Sequence, residues 1–258
     1  MCDKFKDLKI DCKNCFGLCC VALYFSKFEG FPSDKVAGKP CSYLSDDFSC
    51  KIHESLSDKG LKGCTAYDCF GAGQKVAQVT YKGIDWKQSS KTEMFDVFVV
   101  MRQLHEMLWY LTDASLQEVS ISLKKEVEEM RLKIVQLTYL DLASLLVLDI
   151  ESYRDEVNKI LRQIGTLSGE KLGKDLMGKN LTKKNLINSD LRGALLIAAN
   201  LKNQDLSGAN VIAADFRDAD IRGAKLDKCL FLTQSQINVA KGDQQTKIPN
   251  WLSRPAHW

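Results

Sequence analysis

From Leu176 onward a large apolar residue returns at every fifth position: Leu176, Leu181, Leu186, Leu191, Leu196, Leu201, Leu206, Val211, Phe216, Ile221, Leu226 and Phe231, twelve in succession. Two residues before each centre, from Ala194 on, stand Ala194, Ala199, Gln204, Ala209, Ala214, Ala219, Ala224 and Cys229. The residue immediately before a centre is mostly Asp or Asn, as at Asp175, Asn180, Asp190, Asn200, Asp205, Asn210, Asp215 and Asp220. A period of five fits neither a helix at 3.6 nor a flat strand at 2. It fits a coil with one face per five residues and a turn between faces. Four faces close a square, so twenty residues make one coil and the twelve centres make about three. The apolar centres stack from coil to coil, the small residues fill what room remains, and Asp or Asn bonds the local turn amides. A single coil cannot bury its own core, so stacking is obligatory.

The segment "SGANVIAADFRDADIRGAKL" carries four such units in a row and resembles the pentapeptide-repeat family, whose consensus is A-(D/N)-L-x-x. That resemblance implies a right-handed quadrilateral parallel β-helix from about Gly173 to Phe231. The first three units depart from it, with Lys174, Lys179 and Lys184 at the small-residue position. The tail from Leu232 reads as a cap, with Trp251 and Trp258 over the last coil's open edge.

The rest of the chain divides by composition. Residues 92–165 hold no Pro and no Gly before Gly165, and their apolar positions recur at helical spacing. One helix carries Met94, Phe98, Met101, Leu104, Leu108 and Leu111. A second carries Leu123, Val127, Met130, Ile134 and Leu137, and a third Val157, Ile160, Leu161 and Ile164. The second stripe is expected to face residues 94–111 within the chain; a homodimer through the helices, or through the end of the β-helix, is the alternative.

Nine of the ten cysteines lie before residue 70. Their order is Cys12-x2-Cys15-x3-Cys19-Cys20, then Cys41, Cys50, Cys64 and Cys69, with His53 three residues after Cys50. A C-x2-C pair lets two thiolates reach one ion across a tight turn. The doublet Cys19-Cys20 is expected to diverge toward different partners. Eight thiols fill two tetrahedral zinc sites, or hold one iron–sulfur cluster with some left over. Cys12, Cys15, Cys19, Cys20, Cys41, Cys50, Cys64 and Cys69 are therefore the expected metal ligands, with His53 a substitute for one of them. The metal, zinc or iron–sulfur, is left open. Residues 1–90 show little periodicity, so a metal is expected to supply stabilisation that a small core would not. Cys2, near the terminus, is left out, and Cys229 belongs to the small-residue register of the repeats. The runs "CKNCFGLCC", "CSYL…FSCKIH" and "GCTAYDC" resemble a Cys-rich family of zinc- or iron-chelating proteins over residues 12–69.

Two apparent motifs fail. "HEMLW" has Trp109 where a zincin needs its second His, which leaves His105 as a helix-face residue, and "GAGQKV" has Val76 where a dinucleotide fingerprint needs Gly. No P-loop or G-x-S-x-G is present, so no catalytic residue is expected. A net charge of +3 argues for neither nucleic acid nor membrane. Residues 174–231 carry ten Lys or Arg against seven Asp or Glu. Three coils at roughly 4.8 Å each are too short for DNA mimicry. With no apolar leader and no apolar run long enough to span a bilayer, the expected location is the cytoplasm, with reduced thiols.

These readings combine into a multi-domain α+β fold: a Cys-rich metal-binding module (1–90), an α-helical region (91–165), the β-helix (166–232) and a cap (233–258). The expected function is a non-catalytic scaffold that binds a protein partner. A metal-dependent or redox enzyme at the Cys cluster is one alternative, and an antibiotic resistance or target-protection factor of the pentapeptide-repeat type is another.

Overall fold

The structure is a computed structural model that describes residues 4–89, 93–165, 167–169 and 172–258. Cys2 lies outside the described residues. The chain forms two compact units. One contains the residues up to Leu116 together with Ser120–Gln163, and the other contains Gln117–Val119 with Ile164–Trp258.

The first unit is built on one long helix. Its helices are α1 (Leu18–Ala22), α2 (Lys62–Thr65), α3 (Ala72–Gln74, running into a π-helical turn at Lys75–Thr80), α4 (Trp86–Ser89), α5 (Glu93–Ala114), α6 (Ile121–Leu137), α7 (Leu142–Leu146) and α8 (Ile150–Leu161). Helix α5 packs against α6, α7 and α8, and also against α1 and α3. It buries Met94, Val97, Phe98, Met101, Leu104, His105, Leu108, Trp109 and Leu111, a set that covers most of its circumference, as befits a helix surrounded by others. Helix α6 buries Leu123, Val127 and Ile134 of its stripe, while Met130 and Leu137 are half-buried. Ser120, Asp141 and Asp149 cap α6, α7 and α8 by accepting backbone N–H bonds three residues on.

The Cys-rich segment does not stand apart from this core. Phe5, Leu18, Val21, Phe70 and Val76 are buried. The Phe5 and Phe70 rings lie 4.6 and 5.7 Å from that of Trp109 on α5. A second cluster joins Phe25, Phe31 and Leu61 with Ile52, Leu56 and Cys64. These residues follow no period, which is why their sequence gives no sign of a core.

In the second unit the five-residue register is seen residue by residue. All twelve centres are at most 2% exposed, and Ala194, Ala199, Ala209, Ala214, Ala219, Ala224 and Cys229 are buried beside them. Each coil bonds the next, nineteen residues on: the N–H of Leu176, Leu181, Leu191, Leu196, Leu201 and Leu206 donates to the carbonyls of Leu195, Asn200, Asn210, Asp215, Asp220 and Lys225.

The expected β-helix, and the α+β class that rested on it, must be corrected. No described residue lies in a β-strand. The coils meet only through isolated parallel bridges of single residues, such as Asp175↔Leu195, Asn180↔Asn200 and Asp190↔Asn210. The reason lies in the repeat itself. A turn closes on every face, with the N–H three residues after a centre donating to that centre's carbonyl, as from Ala194 to Leu191 and from Ala199 to Leu196. The preceding Asp or Asn side chain accepts from the N–H two residues on, as at Asp175, Asn180, Asp190, Asn200, Asp205 and Asp215. Turns so closely spaced leave no extended run long enough for a strand. The molecule is thus mostly helix, turn and loop, with a turn-built solenoid at its C-terminal end.

The cap continues this pattern. Lys241 and Lys247 bridge to Asp220 and Lys225 of the last coil. The short helix α9 (Gln234–Asn238) carries Gln236, whose amide donates to the carbonyls of Val211 and Ala214. The Trp258 indole N–H donates to the Ala240 carbonyl.

Candidate metal centre

Four pieces of chain bring the eight expected cysteines into the first unit. The loop of Cys12 and Cys15 leads through Gly17, in the left-handed region at φ 61°, into α1 with Cys19 and Cys20. Gln74 of α3 pins the start of this loop, donating to the Lys9 carbonyl at 2.7 Å and accepting from the Asp11 N–H. The Trp86 indole holds its end, donating to the Phe16 carbonyl at 2.8 Å. The Cys41 N–H donates to the Cys20 carbonyl at 2.9 Å, and Cys50 lies opposite Leu44 across an antiparallel bridge. Cys64 sits on α2. Cys69 is fixed by its neighbours: the Asp68 carboxylate accepts from the Phe70 N–H, and Arg102 of α5 donates to the Asp68 carbonyl.

Electrostatics shows which thiols are neighbours. Burial pushes Cys15 up to about 12, and repulsion from Cys69 and Cys12 adds to it. Cys12, open to solvent on one side and crowded on the other, is pushed up to about 11 by partial burial and by Cys69, Cys20 and Cys50. Burial raises Cys64 to about 12, reinforced by Cys20, Cys41 and Cys50. Burial also raises Cys50 and Cys69. The sulfurs of Cys19 and Cys20 lie 4.0 Å apart, so the doublet touches where divergence was expected. Their shared hydrogen bond raises Cys19 and lowers Cys20, which Lys35 lowers further. Backbone N–H groups of Leu18 and Gly17 favour the Cys15 thiolate, as those of Gly73 and Gly71 do for Cys69 and that of Ile52 does for Cys50.

The donor chemistry suits a soft metal: many thiols, largely out of water, several facing backbone N–H groups. The sulfurs are gathered but not closed. Among the described residues no three or more His, Cys, Asp or Glu side chains stand close enough to hold an ion as they are. His53 is exposed. Cys229 lies in the other unit, buried, with its thiol donating to the Leu206 carbonyl at 3.2 Å.

Two residues near the thiols carry no sequence motif. Lys35 is buried beside Cys20, Cys41, Cys19 and Cys64. Gly73 on α3 leaves room for Cys15: a Cβ there would run into its sulfur. The Gly71-Ala72-Gly73 run, dismissed as a dinucleotide loop, is thus shaped by close packing, since a Cβ on Gly71 would strike the Asp7 carbonyl.

A separate shallow cleft of about 620 Å³ in this unit is lined by Tyr67, Arg102, Gln103, Glu106, Glu151 and Arg154. Its guanidiniums are already paired within their helices, Arg102 with Glu106 at 3.0 Å and Arg154 with Glu151 at 2.6 Å.

The solenoid defines the class: this is a pentapeptide-repeat protein, matching the family "Pentapeptide repeats" in 8 copies over residues 194–231. A solved pentapeptide repeat protein (Rfr23) from the cyanobacterium Cyanothece 51142 is 29% identical over 29% of this chain and 46% of its own, with a TM-score of 0.22. Across its whole length the chain belongs to the family of the uncharacterized protein YybG of Bacillus subtilis (strain 168), with 50% identity over 265 residues, 98% of this chain and 95% of that protein.

Proposed function

We propose that the chain is a non-catalytic cytoplasmic scaffold in which the thiols of the first unit hold a metal, zinc or an iron–sulfur cluster, and the repeat coils offer a rigid face to a protein partner. The observation that carries the metal half is that Cys12, Cys15, Cys19, Cys20, Cys41, Cys50, Cys64 and Cys69 come from four separate pieces of chain into one unit, with the Cys19 and Cys20 sulfurs 4.0 Å apart, the Cys41 N–H on the Cys20 carbonyl, and each thiol feeling at least one other. Thiols pushed up by burial are protonated and inert at neutral pH. A soft cation reverses this by taking the thiolates and releasing their protons. Such binding would draw the sulfurs together. The resemblance of residues 12–69 to zinc- or iron-chelating proteins supports the same reading. No described helix is long and apolar enough to cross a membrane, in keeping with the proposed location. For the partner half, the solenoid leaves Met177, Ile187 and Leu195 exposed on a rigid frame.

The test is metal analysis and an absorption spectrum of anaerobically purified protein. At least about one zinc or iron per chain is expected, with visible absorbance if the metal is an iron–sulfur cluster. Cys15→Ser and Cys64→Ser should each hold less. Metal-free protein from replete medium, with its N-terminal thiols freely reactive, would overturn the metal half.

A further inference from the structure

Four half-buried aromatic rings of the first unit meet in a row. Phe16 lies 5.4 Å from Phe48 between ring centres, Phe48 lies 5.7 Å from Trp86, and Trp86 lies 6.1 Å from Phe95. Neighbouring rings stand at 59°, 67° and 61° to each other rather than stacked. The Trp86 indole is fixed by its bond to the Phe16 carbonyl at 2.8 Å. Phe48 lies in the turn that the Ser45 N–H closes on the Ser49 carbonyl at 2.8 Å, and its φ is 66°. Gly or Asn takes that conformation at little cost, whereas a bulky ring there is an outlier of the kind that clusters at functional sites. Full burial does not offset the strain, because the ring stays partly open to solvent.

An ammonium already sits on this surface. Lys87 Nζ is 4.7 Å from the centre of the Phe48 ring and 5.7 Å from that of Trp86. It donates to the Asp46 carbonyl at 3.3 Å, and the Asp46 carboxylate is 3.7 Å away. Asp85 sets the backbone beneath it, accepting from the N–H groups of Lys87 and Gln88 at the start of α4. Lys87 and Asp46 are both exposed, and an exposed ion pair holds its partners only weakly, so the lysine side chain is free to leave. Two steeply tilted rings beside a carboxylate then face the solvent.

We propose that Phe48, Trp86 and Asp46 form a binding site for a small quaternary ammonium compound, with Lys87 as its internal occupant in the free protein. The ring quadrupoles attract a cation, and a methylated ammonium gives up less hydration than a primary one on reaching them, so it displaces the lysine. The Asp46 carboxylate adds charge complementarity. A neutral molecule of the same shape gains neither. No cysteine is part of the site, so it does not depend on bound metal.

The test is ligand-observed NMR on the full-length chain, comparing choline with its neutral analogue in which a quaternary carbon replaces the nitrogen. Choline should bind with a Kd on the order of 10 mM, and the analogue at least about 5-fold more weakly. Lys87→Ala removes the competing ammonium and should tighten choline binding by roughly 2- to 5-fold. Phe48→Asn removes the ring but suits the left-handed turn, so that variant should fold and yet lose choline. The comparison of the two compounds on wild type needs no variant at all. The site is refuted if neither wild type nor Lys87→Ala binds choline, if the neutral analogue binds as well as choline, or if Phe48→Asn binds as tightly as wild type. A Lys87→Ala variant no tighter than wild type overturns the lysine's role as occupant.

Discussion

Ala198 and Ala213 each hold φ at 54°, at turn positions where other faces carry Gly178, Gly193, Gly208 and Gly223. A side chain in that region costs roughly 1–2 kcal/mol, and Gly gives back roughly 0.5–1 through its looser unfolded state. Both side chains are exposed, so removing the methyl group loses no packing. Ala198→Gly and Ala213→Gly should therefore each stabilise the second unit by about 0.5–1 kcal/mol, read as a higher denaturant midpoint; an unchanged midpoint would mean that these turns hold no strain. His105 was read from sequence as a helix residue rather than a metal ligand, and it lies on α5. It is 4% exposed, with its Nδ1–H donating to the Phe70 carbonyl at 2.7 Å. Its burial follows from α5 being covered nearly all round. Burial pulls its imidazole down to about 4 from 6.5. The folded pKa lies below the unfolded one, so this contribution is complete above pH 6.5 and is lost as pH falls toward 4. The total is on the order of 3 kcal/mol. His105→Asn, which keeps a donor near the Nδ1 position, should flatten the acid limb of the first unit's stability curve. An equally steep limb in that variant would assign the acid sensitivity to other groups.

At the scale of elements, the helices were legible wherever a stripe ran long enough to show its period, as in α5, α6 and α8. Helix α7 was not, because five residues complete barely more than one turn. The repeat register was legible to the residue, since every centre from Leu176 to Phe231 is buried. Its local form was not. A five-residue period names what points inward but does not separate a short strand from a single bridging residue between two turns. The cysteine elements show the reverse: the proposed ligand types were plain from spacing, while the packing around them was hidden in isolated residues such as Gly73, whose Cβ would meet the Cys15 sulfur. Gly73 offers a direct probe. In a helix Ala is favoured over Gly by roughly 1 kcal/mol, so on propensity alone Gly73→Ala should stabilise α3. The new Cβ would instead run into the Cys15 sulfur. The expected outcome is a folded protein with less bound metal and a Cys15 that reacts faster with thiol reagents. Full metal content and a higher melting temperature would show that Cys15 moves aside freely and is not held in a site.

On the scale of the whole molecule, each of the two units buries an apolar set of its own. The first gathers Trp109, Phe5, Phe70 and the inward faces of α5, α6 and α8, and the second stacks the repeat centres. No cysteine of the N-terminal set contributes to the repeats, and Cys229, the one thiol there, fills a position that elsewhere holds alanine. Metal should therefore be linked to the stability of one unit only. A ligand that binds the folded form alone stabilises it by RT ln(1 + [L]/Kd), so a chelator that removes the metal takes that contribution from the first unit. The first unit keeps the apolar core around α5 and should soften without unfolding outright at room temperature. Calorimetry of metal-loaded protein should show one transition that moves down on chelation and one that does not. Leu206→Ala should do the opposite, lowering the metal-independent transition by about 2–5 kcal/mol of stability while leaving the other in place. One cooperative transition that responds to both chelator and Leu206→Ala would show that the units unfold together and that metal stabilises the solenoid as well.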